Sequence, residues 1–126
     1  MATIRRFRDG FRWEGVPVED YADPAVRAVT KQVILGAREG ATHYAVRYFE
    51  IAPGGKSSLD RHDHDHAVVV LRGAGRVLLG EARHEIGFGD AVYVGPRELH
   101  QFENTGDSPL GFLCVTAPAR PHPAGK

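Results

Sequence analysis

The chain has 126 residues, with 16 Lys and Arg against 16 Asp and Glu, seven His and a single Cys, Cys114. That length fits one compact domain with a core large enough to fold without disulfides, and one Cys excludes an internally cross-linked secreted scaffold and suits a reducing cytoplasm. Zero formal net charge argues against a general nucleic-acid or acidic-surface binder.

The longest uninterrupted apolar run is Ala67 to Leu71, far short of the ~18 residues a membrane helix needs. Residues 1–7 carry charge with no apolar segment behind them, so neither a signal peptide nor a membrane partner is expected. Gly and Pro number 15 and 8, above their usual ~12% share, without period or low complexity. That excess points to many turns and short strands.

From the N-terminus, Arg5, Arg6, Arg8 and Arg12 interleave with Phe7, Phe11 and Trp13. Asp9 and Glu14 balance part of that charge, so residues 1–28 are expected to form an arm or edge segment rather than a nucleic-acid contact. Asp23 and Pro24 could cap and start a short helix. Val29 to Leu35 alternates apolar and polar side chains and ends at Gly36, which predicts a strand. A second strand is expected from about Thr42 to Ile51, stopping at Ala52-Pro53-Gly54-Gly55. A β-branched run spans His66 to Leu71, and the turn Arg72 to Gly75 leads to Arg76–Leu79. His84–Ile86, Ala91–Val94, Leu99–Glu103 and Gly111–Thr116 complete the series, each bounded by Gly, Pro, Asn or Asp. Turns every 8–12 residues predict an antiparallel sandwich or barrel over residues 29–116. Residues 117–126 hold Pro118, Pro121 and Pro123 with little apolar mass and read as a disordered tail.

His62-Asp63-His64-Asp65-His66 places three imidazoles within five residues. Neutral imidazole and carboxylate suit a divalent transition metal, Fe, Mn, Ni, Zn or Cu; the bland alternative is a solvated polar turn. An unbroken strand would separate Asp60 and His66 by roughly 20 Å, too far to share an ion. The segment must therefore bend, and Asp63 and Asp65 are good turn residues. A strand ending near His62 and another beginning near His66 would bring Asp60, His62 and His66 together. Phe102 shares strand parity with His100 and should point into the barrel, either lining a pocket or filling core. Cys114, in an apolar strand with no basic neighbour visible in the sequence, reads as a small buried hydrophobe.

The spacings resemble the cupin superfamily. Its first motif, G-x5-H-x-H-x3-E-x6-G, falls on Gly54, Asp60, His62, His66 and Gly73; its second, G-x5-P-x-G-x2-H-x3-N, falls on Gly89, Gly95, Arg97, His100 and Asn104. The departures are Asp60 for the first His, His66 for the Glu, and Gly95 and Arg97 for Pro and Gly. One carboxylate and three imidazoles survive in permuted order. The rival register pairing His62 with His64 puts Val68 at the third ligand position, so His64 is assigned to the turn, with an additional ligand role left open. The resemblance implies a single-domain, all-β antiparallel jelly-roll barrel. It also implies one metal at Asp60, His62, His66 and His100, with Asp60 either a direct ligand or a partner orienting an imidazole. A small-molecule ligand and a homodimer paired through residues 13–21 and edge strands are implied as well. The activity implied is a dioxygenase, decarboxylase or isomerase acting on a small oxygenated molecule; the alternative is a non-enzymatic metal- or ligand-sensing cupin. Metal affinity is expected to fall below about pH 6, near the free imidazole pKa.

Overall fold

A computed structural model describes residues 2–21 and 27–117. The helix expected at Asp23 and the tail beyond Ala117 lie outside the described residues. The chain opens with three short strands, β1 (Phe7–Arg8), β2 (Arg12–Trp13) and β3 (Glu19–Asp20). Next come β4 (Arg27–Leu35), one 3-10 turn (Ala37–Glu39) and the long β5 (Ala45–Lys56). The rest of the barrel is β6 (His66–Arg72), β7 (Ala74–Leu79), β8 (Ala82–Gly87), β9 (Ala91–Val94), β10 (His100–Glu103) and β11 (Leu110–Thr116). Among the described residues, no helix is long and apolar enough to cross a membrane.

The strands form one curled antiparallel sheet in the order β8-β7-β10-β5-β11-β6-β9, with β4 added to β5 and β3 to β4. β5 joins the two halves. Its first part pairs with β11 from Ala45↔Thr116 to Ile51↔Leu110, and its last residue, Lys56, pairs with Glu103 of β10. The expected stop at Ala52-Pro53-Gly54-Gly55 is instead a corner that the strand runs through. Pro53 falls where pairing changes partner, so its missing donor breaks no ladder. Gly54 supplies the left-handed φ of +80° that turns the corner.

Strict alternation then sorts side chains. In β6, His66, Val68 and Val70 are buried while Ala67 and Val69 are exposed. In β10, His100 and Phe102 face inward, and Leu110, Phe112 and Cys114 do so in β11. With Val29, Ile51, Val77, Ile86, Val92 and Val94, these apolar residues make one core inside the curl. The same period that hides Val68 therefore turns His66 inward.

The N-terminal arm packs on its own barrel. Hairpin β1–β2 sets Phe11 and Trp13 against Tyr48 of β5, with ring centroids 5.7 and 5.1 Å apart. Gln32 of β4 donates to the Phe11 carbonyl at 2.8 Å. Beneath this cover, Glu50 accepts hydrogen bonds from the Tyr48 hydroxyl and Arg72, each at 2.9 Å. Gly111 permits the packing, because a Cβ there would lie 1.9 Å from the Tyr48 oxygen.

Candidate metal centre

The loop between β5 and β6 bends at Asp63-His64, as the turn residues lead one to expect. Asp60, upstream of the bend, forms an isolated antiparallel bridge with His100. The bend returns the chain so that His62 reaches His66, and their facing nitrogens, Nδ1 and Nε2, stand 3.2 Å apart. His62, His66 and His100 each present a ring nitrogen, and these atoms lie within 4.8 Å of one another. Three imidazoles from a loop and two strands thus converge on one point.

Each ring is held from behind. His100 Nδ1 is 2.9 Å from the Glu98 carbonyl. A carbonyl only accepts, so Nδ1 carries the proton and Nε2 keeps its lone pair for the centre. His66 Nδ1 lies 3.4 Å from Cys114 Sγ, which leaves its Nε2 facing His62. The His62 backbone is clamped by the Arg97 N–H, which donates to its carbonyl at 2.5 Å. Burial pushes the His62 and His66 pKa values down, that of His66 to about 4; the Asp60 carboxylate partly opposes the shift at His62. Both rings are therefore neutral at pH 7, the state in which imidazole binds a metal.

The remaining sequence candidates take different places. Asp60 borders the cavity beside the three rings, outside the converging nitrogen set, and its Oδ2 accepts from the Ser58 hydroxyl. His64 is exposed, its ring stacked 5.0 Å from that of His62, and stays outside the group. Phe102 lines the cavity and stacks on Phe112 at 4.5 Å. Asn104 ties a turn, donating to the Ile51 and Ser108 carbonyls.

Two cavity residues escaped the sequence reading, Arg47 and the functional setting of Cys114. Cys114 is buried, but it has a basic neighbour after all. Register pairs it with Arg47, whose Nη2 donates to Sγ at 3.2 Å. Burial still raises the thiol pKa, against the pull of Arg47. Arg47 shares the inward parity of Phe49 and Ile51, the one local signal that could have revealed it. The three histidines, Arg47, Cys114 and the aromatic rings of Phe49, Phe102 and Phe112 all line one cavity.

Residues 47–116 match the cupin domain family, and the chain belongs to it. It is 38% identical over 123 residues to the 1-methylthio-D-xylulose 5-phosphate methylsulfurylase of Rhodospirillum rubrum, covering 95% of this chain and 78% of that one. A cupin 2 conserved barrel domain protein from Rhodopseudomonas palustris superposes with a TM-score of 0.84 at 36% identity, covering 96% of this chain and 84% of that one. A sugar phosphate isomerase of the cupin superfamily from Silicibacter pomeroyi gives a TM-score of 0.73 at 26% identity, covering 84% and 73%.

Proposed function

We propose that this chain is a metal-dependent cupin enzyme acting on a small phosphorylated sugar. The observation that carries the reading is the convergence of His62, His66 and His100 in a cavity that Phe49, Phe102 and Phe112 also line. Three imidazoles are a fitting donor set for Fe, Mn, Ni, Zn or Cu. When bound, such an ion supplies Lewis-acid polarisation of a carbonyl or hydroxyl oxygen. Asp60 supplies the carboxylate at the edge of the site, acting from beside His62 rather than within the three-nitrogen set. Phe49, Phe102 and Phe112 exclude water from the reacting carbons, while the Glu98 carbonyl fixes the tautomer of His100 and Cys114 packs against the ring of His66.

Support for the substrate class comes from relatives in Rhodospirillum rubrum and Silicibacter pomeroyi whose names both specify sugar phosphates. Carbonyl chemistry of the isomerase or carbon–heteroatom cleavage kind fits this better than dioxygenation. The test is turnover of ketose phosphates, including one with a thioether at C1, followed by NMR on metal-loaded protein. Turnover abolished by chelation and by His100→Ala supports the reading. Binding of these compounds with no turnover under any metal would favour a sensing role instead.

A further inference from the structure

Two buried side-chain polar atoms among the described residues have no hydrogen-bond partner, Arg5 Nε and Arg47 Nε. The two arginines differ in what surrounds them. Arg5 is neutralised by Glu39. Arg47 is in none of the ion pairs formed among the described residues. Its guanidinium lies over the Phe49 ring, 4.9 Å from the centroid, and Nη2 touches Cys114. Among the described residues, the cavity that it borders holds a single carboxylate, Asp60, and that group is engaged by Ser58. A buried donor without a partner is costly, and a guanidinium fork matches two oxygens of a carboxylate or phosphate.

We propose that Arg47 binds an anionic oxygen group of the ligand, a phosphate or a carboxylate, through its guanidinium at the cavity wall. The inference deepens the reading above by naming how the cavity holds ligand charge, yet it does not depend on the metal. Among the described residues that line the cavity, Arg47 and Asp60 are the two that carry formal charge, and Asp60 is engaged by Ser58 rather than by Arg47. An anionic ligand would give Arg47 the charged partner it lacks; a neutral sugar would not. The aromatic wall withholds water from the ion pair and so strengthens it. Lys could supply the charge at position 47 but not the planar fork.

The test uses metal-stripped full-length protein, with inorganic phosphate and glycolate as separate probes and glycerol as the neutral control, titrated by calorimetry. Binding of phosphate or glycolate, but not glycerol, is expected. The affinity should fall at least tenfold in Arg47→Gln, fall less in Arg47→Lys, and stay unchanged in the exposed-site control Arg83→Gln. Tighter phosphate than glycolate binding would mark a phosphate subsite; the reverse would mark a carboxylate subsite. Equal affinity in wild type and Arg47→Gln, or equal loss in Arg83→Gln, would overturn the proposal. Should Arg47→Gln fail to fold, the wild-type Arg47 Nε–H resonance decides, since it must shift on adding the anion and an unmoved resonance refutes the contact. Because no metal is present, failure here leaves the metal reading standing, and failure of metal binding leaves this result standing.

Discussion

Asp60 and His100, forty residues apart in sequence, exchange two backbone hydrogen bonds, the Asp60 N–H to the His100 carbonyl at 3.0 Å and the return bond at 2.9 Å. This bridge fastens the loop carrying His62 to the strand carrying His100, so both motif halves enter the site as one unit. His66 joins them because the chain doubles back at Asp63-His64 before β6 begins. The site is thus built by backbone pairing, and the side chains converge as a consequence.

Burial of neutral His62 and His66 makes metal-free protein sensitive to acid. In the unfolded chain these rings protonate near pH 6.5, whereas folded His66 waits until about pH 4. The unfolded state therefore binds more protons between those values, and stability is lost as pH falls through that window, not above it. Denaturant midpoints of chelator-treated protein should be flat from pH 8 to 7 and decline from about 6.5 toward 4. The same burial moves loss of metal affinity below the pH of about 6 that a free imidazole would give. His66→Phe should flatten part of the stability profile.

Arg97 occupies the position where the cupin motif carries Gly, and its φ is +62°. Its N–H, not its side chain, holds the His62 carbonyl, and the exposed ion pair with Asp63 contributes little. Arg97→Gly should therefore leave metal affinity unchanged and stabilise by up to about 1 kcal/mol, whereas Arg97→Val should destabilise by about 1–2 kcal/mol. Urea unfolding of the two variants gives both numbers.

Cys114 Sγ stands 3.4 Å from His66 Nδ1, on the ring edge away from His62. Cys114→Val keeps the volume but removes the sulfur contact, which frees the ring and should weaken metal binding by roughly 10–100-fold. Competition with a chromogenic chelator measures this. The fold should survive, since the change is nearly isosteric.

Gly111 admits the Tyr48 hydroxyl so closely that any Cβ must displace it. Gly111→Ala should break the Tyr48–Glu50–Arg72 network and cost about 2–3 kcal/mol. Thermal unfolding should show the loss, and Tyr48→Phe in the same background should recover part of it by removing the clashing oxygen.

Much of this was legible before the structure. Apolar and β-branched runs bounded by turn residues mark Ala91–Val94 at its observed limits and locate β6, β10 and β11 within a residue. The two histidine spacings name the three rings that converge, because motif spacing encodes the corner and the bridge that make them meet. What was not legible depends on register between distant strands. Nothing near Cys114 in sequence announces Arg47, since only the β5–β11 pairing sets them side by side. Pro53 and Gly54 look like a terminator locally, yet β5 bends through them because β10 takes over from β11 as its partner. The docking of the aromatic arm on Tyr48 and Gln32 likewise joins residues far apart in sequence.

The central claim is that His62, His66 and His100 together hold one divalent ion. Elemental analysis of untagged protein, as purified and after loading and desalting, tests it most directly. The account predicts about one equivalent of transition metal in the wild type and a loss of most of it in His100→Ala and His66→Ala, with both variants folded by circular dichroism. Metal absent from the loaded wild type, or retained at full stoichiometry when either imidazole is removed, would contradict it.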